Sequence, residues 1–422
     1  MPSGESSTAV AEVWRRESPR VIAGLMRMTR DLALAEDLAQ DALVAALEQW
    51  SATGVPSNPG AWLMTVAKRR AVDHFRREER ARVRQSDLGR SLAEKEEAEM
   101  PDLDAAVDFI ADDQLRLMFV SCHPVLPVSS RVALTLRLLG GLTTAEVARA
   151  LLADERAVAQ RIVRAKRTLA SARVPFEVPV GAEREARLAA VLEVVYLIFT
   201  EGYAATSGTA WTRPELCTEA IRLARLLADL APAEPEVHGL LALLQLQASR
   251  LPARTTAAGE PVLLRDQDRT RWDTHLIQRG LAALTTAKAL PGAPGPYALQ
   301  AAIAACHARA SSVEETDWRQ IAALYDRLAG LNPSPVVQLN RAVAHGMAFG
   351  PVAGLGLLEV VQADPALRHY HLLPSVRADL LAQLGRYDEA RTELSRAAAM
   401  ARNDQERTLL QRRAESLPNP GP

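Results

Sequence analysis

The sequence predicts an all-α protein built in three parts, and three observations predict it. The chain is 48% hydrophobic but only 4% aromatic, rich in Ala and Leu with few β-branched runs, so helix dominates. Its 422 residues exceed one ordinary core, which sets an expectation of two or three domains. Apolar residues recur at helical spacing between Pro- and Gly-containing turns along most of the length. The net charge of −1 argues against a chain that binds nucleic acid throughout, so any basic function must be local. Four of the 50 basic residues are lysines (Lys68, Lys95, Lys166 and Lys288).

The first part, to about Glu79, reads as three or four helices. In "LALAEDLAQDALVAALEQW", Leu38, Ala42, Leu43, Ala46 and Leu47 form an apolar stripe. The loop "SATGVPSNPG" follows, and Pro59 and Gly60 introduce "AWLMTVAKRRAVDHFRREER". There the apolar Trp62, Leu63, Val66, Ala67, Ala71 and Phe75 are opposed by basic residues. After Arg84 come ten acids and two bases up to Asp113, a composition that buries too little surface to pack and predicts a mobile linker over 81–113.

The second part spans 114–174. It closes with "LTTAEVARALLADERAVAQRIVRAKRTLA", Leu142 to Ala170, two helices around a tight break. Thr143 or Thr144 can cap the first helix, and "LADE" supplies the turn and the next start. At about 100° per residue, Arg156, Gln160, Arg164 and Arg167 share one quadrant. Val158, Ile162, Ala165 and Leu169 lie roughly opposite. Arg and Gln can make bidentate contacts to base edges in a major groove, but a solvated basic face has the same pattern.

"VPFEVPVG" marks a boundary, and a third part over 182–417 is helical and unevenly repetitive. "LADLAPAEPEVHGLLALL", "LAGLNPSPVVQLNRAVA" and "VVQADPALRHYHLLPSVRADLLAQLG" share a plan of helix end, Pro-containing turn and new helix. The order Leu-Gly-x-Tyr-x-x-Ala in "LGRYDEARTELSRAAAMA" is similar to the tetratricopeptide repeat. Residues 250–295 read as a long polar insertion between repeats.

Context strengthens the nucleic-acid reading. Between Lys68 and Arg84 lie eight basic and three acidic residues, with His74 and Phe75 interleaved and Trp62 preceding. Cations that track phosphates beside aromatics that stack on exposed bases suit a melted strand. The alternative keeps Trp62 and Phe75 in a core with arginines snorkelling outward, and Phe75 is the better core candidate.

On these residues the chain resembles the extracytoplasmic-function (ECF) class of RNA polymerase sigma factors, in the sigma-70 superfamily. "AEDLAQDALVAALEQW" is similar to its core-polymerase-binding helix. "NPGAWLMTVAKRRAVDHFRRE" resembles its promoter-melting and −10-reading helix, and "GLTTAEVARALLADERAVAQRIVRAKRTLA" its −35-reading helix-turn-helix. The likeness covers about residues 8–172, as region 2 over 8–80, the linker and region 4 over 114–174. "VLEVVYLIFTEGY", "ELCTEAIRLARLLADLAPAEPEVHGLLALL" and "DQDRTRWD" resemble the C-terminal tetratricopeptide-like extension of one subgroup.

The resemblance implies roles by position. Asp37, Gln40, Asp41 and Leu47 would face the polymerase β′ clamp helices, with region 4 meeting the β flap. The loop Thr53 to Asn58 would pocket a flipped −10 base, with Trp62, Lys68, Arg69, His74, Arg76 and Arg77 along the separated strand. Arg156, Gln160, Arg161 and Arg164 would meet the −35 element, and Arg167 its phosphates. Two departures stand out: Arg69 where many relatives have Asn, and "AVAQRI" where the wider family has a Thr-Val-Lys-Ser-Arg type run. The implied partners are core polymerase and promoter DNA, with no cofactor, no membrane, and contact between the C-terminal part and the sigma domains. Its acidic linker would occupy a positively charged nucleic-acid path on polymerase.

Two other classes remain open on the residues alone. One is a helix-turn-helix activator with a repeat sensor domain, which leaves "AEDLAQDALVAALEQW" unexplained. The other is a repeat scaffold that binds no DNA. Cys122 beside His123 and Cys306 beside His307 lack further ligands at metal spacing, so buried thiols and no metal are expected. No phosphate-binding Gly loop or nucleophile motif occurs, which argues against an enzyme. Three widely spaced cysteines, and an N-terminus without a basic-then-apolar leader, place the expected location in the cytoplasm.

Overall fold

The computed structural model describes residues 4–86, 110–151, 153–204, 211–257, 259–368, 370–401 and 403–418. Among them are eighteen α-helices and no strand beyond an isolated bridge between Thr255 and Pro261, so the all-α class holds. The chain divides into two compact units, residues 1–194 and 195–422, with the division inside one helix. No helix among the described residues is long and apolar enough to cross a membrane.

Unit 1 begins with three helices, α1 (Gly4–Thr29), α2 (Leu32–Thr53) and α3 (Pro59–Ser86). Asp31 starts α2 by accepting from the backbone N–H of Ala33 at 2.7 Å and Leu34 at 3.1 Å. Gly54, at φ 79°, ends it. The buried stripe of α2 is mostly alanine (Ala35, Ala39, Ala42, Ala45, Ala46), which lets α1 and α3 approach closely. Leu63, Ala67 and Ala71 are the buried side of α3. Phe75, the expected core residue, is instead exposed, because α3 outruns its partners and none of its described side chains after Ala71 is buried.

The remaining helices of unit 1 are α4 (Ile110–Ser121), α5 (Val128–Leu138), α6 (Thr144–Ala150), α7 (Glu155–Ser171) and the first part of α8 (Gly181–Tyr203). They pack on the first three: α1 meets α4 and α5, and α2 meets α7. Composition predicts a polar linker over 81–113, and its centre, 87–109, lies outside the described residues. Both ends differ from that expectation. Residues to Ser86 continue α3, and α4 begins at Ile110. Asp113, one of the linker acids, is buried against Arg116 at 2.8 Å and Arg27 at 3.7 Å. Two guanidiniums compensate its desolvation, and local composition cannot register Arg27 so far back in the chain.

Gly141 closes this packing from the other side. Its φ of +63° suits glycine, and a Cβ there would stand 2.9 Å from the Arg15 Cα in α1. Arg187 of α8 donates to the Phe119 carbonyl at 3.0 Å, and Arg131 pairs with Glu193 at 3.0 Å. The first turns of α8 therefore belong to unit 1, although 182 is the start expected from sequence.

Unit 2 continues α8 and adds α9 (Pro214–Leu230) through α18 (Asp404–Glu415). Neighbours in sequence pack in turn, with α10 (Pro235–Ala248) flanked by α9, α11 (Thr274–Ala289) and α12 (Pro296–Arg309). Glu236 at the start of α10 accepts from Tyr297 N–H at 2.8 Å and Ala298 N–H at 3.1 Å, capping α12 across the helix pair. The stretch 250–295 is only partly the polar insertion expected. Its first half forms three short 3-10 turns, but its second half is α11, which buries Gly280, Leu284 and Ala287. Their spacing of four and three is a helical stripe hidden by charged flanks. Further on, Gly385 at φ 74° turns α16 (Leu372–Gln383) into α17 (Tyr387–Met400), where Ala390 is fully buried.

Candidate nucleic-acid interface

The second helical pair of unit 1 is built by two caps. Thr143 Oγ1 accepts from Glu146 N–H at 3.1 Å, while Glu146 Oε2 accepts from Thr143 N–H at 2.7 Å, a capping box that starts α6. Asp154 Oδ1 accepts from Ala157 N–H at 3.0 Å and starts α7. Val158, Ile162, Ala165 and Leu169 are buried and fix the rotation of α7. Burying the three larger ones contributes about 1.5–3 kcal/mol each.

With that back docked, Arg156, Gln160, Arg164 and Arg167 face solvent and Arg161 is partly covered. Among the described residues no carboxylate pairs with any of these four arginines. Lys166 behaves differently: it turns inward to Glu36 of α2. Basic charge on this helix is thus divided between an outward row and one inward lysine.

The second basic surface is α3 and the loop before it. Asn58 is exposed, and its Oδ1 accepts from Ala61 N–H at 3.1 Å, so its oxygen starts α3 while its amide N–H groups stay available. Trp62 is half-buried, edge-on to Trp50 with ring centroids 5.1 Å apart. Lys68 is half-buried and Arg69 exposed. His74 lies 3.4 Å from Glu78 and edge-on to Phe75 at 5.9 Å. Arg76 and Arg77 are exposed, and Arg77 Nε donates to the Asp73 carbonyl at 3.1 Å. The exposed Phe75 thus joins the basic surface as an aromatic.

Residues 13–81 match the family described as Sigma-70 region 2, and residues 116–169 match Sigma-70, region 4. Residues 187–288 match a family of unknown function (DUF6596). The chain is 33% identical over 172 residues to the ECF RNA polymerase sigma factor SigK of Mycobacterium tuberculosis (strain H37Rv), covering 40% of this chain and 87% of that protein. The chain belongs to the ECF sigma factors. An uncharacterized protein, R00370, of Rhizobium meliloti (strain 1021) is 45% identical over 400 residues, covering 94% of this sigma factor and 93% of that chain. Sigma factors of this family generally act as initiation factors rather than enzymes.

In this sigma factor, region 2 is carried by α1–α3 and region 4 by α4–α7. The outward face of α2 presents Asp37, Asp41 and Leu47, with Gln40 half-buried. Asp41 pairs with Arg70 at 3.4 Å. Val44, 50% exposed, continues the same face and is missed by sequence reasoning, which assigns it neither to the apolar stripe nor to the partner-facing residues. The inner edge of α2 holds Glu36, whose Oε1 accepts from Arg137 Nε at 2.7 Å and Gln40 Nε2 at 3.1 Å and whose Oε2 pairs with Lys166. Burial alone would raise the Glu36 carboxyl, but Lys166 and Arg137 together outweigh it and hold it below the usual range. This triad joins region 2 to region 4. One signal could have found it: Lys166 stands four residues after Ile162 and beside Ala165, on the flank of the buried stripe.

Cys122, Cys217 and Cys306 are all buried. Cys122 lies 3.3 Å from Thr135 Oγ1, and burial pushes its thiol up to about 11. Among the described residues no three His, Cys, Asp or Glu side chains are placed to hold a metal ion.

Proposed function

We propose that this sigma factor binds core RNA polymerase through the outward face of α2, reads a −35 element with the front of α7, and engages the −10 region with α3 and the loop before it. The β′ clamp is the partner of Asp37, Gln40, Asp41 and Leu47, and the β flap that of region 4. What supports the reading is the front of α7. In a chain with 50 basic and 51 acidic residues, four arginines on one helix lack a carboxylate partner among the described residues, beside an exposed Gln160. Such a row can exchange hydration for phosphate and base contacts without first breaking ion pairs. The half-buried Trp62 and exposed Phe75 supply stacking faces beside the basic α3.

Run-off transcription with purified core polymerase on genomic fragments tests this. Promoter-specific transcripts from the full chain are expected, and Arg156→Ala with Arg164→Ala removes them while pull-down of core polymerase persists. Pull-down without transcripts from any fragment refutes promoter recognition. Failure of the pull-down favours the activator or scaffold readings.

The C-terminal unit modulates this output in cis. Because Arg187 and Glu193 complete unit 1, the informative truncation keeps residues 1–194. Transcription by that fragment equal to the full chain at equal occupancy of core polymerase would refute the modulating role.

A further inference from the structure

Two motifs take no part in promoter reading: "FTEGY" (Phe199–Tyr203) and "DQDRTRWD" (Asp266–Asp273). They converge in unit 2 at the end of α10. Much of both is structural. Glu201 pairs with Arg213 at 2.5 Å. Asp268 starts the turn Arg269–Arg271, and Asp273 accepts from Leu276 N–H at 3.0 Å to start α11. Arg269 donates to the carbonyls of His307 at 2.8 Å and Ala310 at 2.6 Å and to Thr316 Oγ1 at 3.1 Å, tying the turn to the end of α12.

What remains is a group of guanidiniums with no carboxylate beside them, and three N–H groups with no acceptor. Arg254 is buried with its guanidinium carbon 3.8 Å from the centre of the Tyr203 ring and 5.5 Å from that of Trp211. Arg250 stands 5.7 Å from Tyr203 and 5.9 Å from Trp272 and donates to the Tyr203 hydroxyl and to Gln247 Oε1. Among the described residues no carboxylate is within ion-pair distance of Arg250, Arg254 or Arg269. The intervening sequence "ATSGTA" supplies none. Arg254 Nε, Trp211 Nε1 and Trp272 Nε1 are buried N–H groups with no acceptor.

A buried guanidinium without a counter-charge is costly, and stacking on an aromatic ring offsets only part of that cost. The local field is positive by a second measure. Burial, then Arg250 and Arg269, push His307 down to about 4, so it stays neutral in its corner. Burial would raise the Tyr203 phenol, yet Arg250 and Arg254 outweigh it and hold the group below its ordinary value. Tyr203, Trp211 and Arg250 are each half-buried and give this cluster a way to solvent.

We propose that Arg250 and Arg254, with Tyr203, Trp211 and Trp272, form a binding site for a small oxyanion, a phosphate or carboxylate group. Guanidinium forks match both groups bidentately, and indole N–H groups can only donate, so the cluster favours an anion over a cation. The site lies wholly in unit 2 and stands whether or not promoter reading does.

Calorimetric titration and thermal melting of the full chain test it, with inorganic phosphate, citrate and ATP as separate probes and sodium chloride matching ionic strength. At least one probe should bind saturably and raise the melting midpoint. Phosphate and ATP report a phosphoryl ligand, and citrate a carboxylate one. Arg254→Gln and Arg250→Gln should each weaken that binding at least tenfold, while Arg396→Gln leaves it unchanged. If Arg254→Gln fails to fold, the half-buried Arg250→Gln decides by the same criterion. Absence of saturable binding to all three probes overturns the site, as does binding that survives undiminished in the folded variants.

Discussion

Replacing Glu36 by glutamine addresses the seam between regions 2 and 4 directly. The Glu36 side chain is 4% exposed, and its partners Arg137 and Lys166 are 18% and 16% exposed. Glu36→Gln keeps the volume and one acceptor but leaves two cations without a counter-charge. Breaking a buried pair costs about 3–5 kcal/mol, and the partial exposure of both cations puts this case near 3 kcal/mol. For a unit of this size that lowers the unfolding midpoint by about 6–12 °C. Thermal melting of the full chain measures the shift, and hydrogen exchange on peptides from α2, α5 and α7 shows where protection is lost. The triple variant Glu36→Leu, Arg137→Met, Lys166→Met should recover most of the loss, since an apolar replacement of equal volume removes the desolvation cost with the charges. A single-variant loss below about 0.5 kcal/mol, the range of exposed pairs, would refute the reasoning. So would a triple variant no better than the single.

The same seam predicts a pH dependence. The Glu36 pKa is lowered in the folded chain, so its stabilisation is full above the unfolded value of 4.5 and disappears as pH falls through the lower folded value. Wild type and Glu36→Gln should therefore differ in stability at pH 7 and converge in acid, and a gap that does not narrow as pH falls below 4.5 would contradict this. Gly141→Ala forces a side chain into positive φ and against Arg15, and should destabilise unit 1 by about 1–3 kcal/mol in chemical denaturation. On a −35 duplex, Arg156→Ala or Arg164→Ala should each lose about 1–3 kcal/mol of discrimination in fluorescence anisotropy, whereas Arg167→Ala should weaken all sequences alike and reduce the salt slope by about 1. Cys122 and Cys217, pushed up to about 11 and about 12 by burial, should resist a thiol reagent at pH 8 in the native chain and react after denaturation.

The parts of the fold that were legible are those encoded by local pattern. The capping box at Thr143 and Glu146, the Asp154 cap and the four-residue apolar back of α7 all follow from neighbours in sequence. Misreadings arose where a distant partner decides the outcome. Asp113 looks like linker until Arg27 is beside it. Phe75 looks like core because its spacing from Ala71 is helical, but whether a partner helix reaches that far is not written locally. The convergence of "FTEGY" with "DQDRTRWD" was invisible for the same reason, since the residues that bring them together, Arg250 and Arg254, belong to neither motif.

The seam also bears on the promoter reading proposed above. Elements centred about 25 base pairs apart lie about 85 Å apart along straight B-form DNA, at about 3.4 Å per step. A compact unit of 194 residues has a radius of gyration of about 16 Å, hence a diameter near 40 Å. With α2 and α7 joined through Glu36, unit 1 cannot span both elements. Residues 87–109, as a covalent tether, can reach at most about 80 Å. If the chain reads both elements as proposed, opening of the seam precedes two-element binding, and its cost reduces the apparent affinity by the fraction of chains already open. It follows that Glu36→Gln, which destabilises the unit, should raise run-off transcription when sigma factor is limiting. A seam weakened by about 3 kcal/mol enlarges the open fraction by up to about 100-fold, until opening ceases to limit. At saturating sigma factor the two proteins should give equal output. Lower output from folded Glu36→Gln at limiting concentration would mean that polymerase itself uses the Glu36 carboxylate, and the seam would then be incidental to initiation.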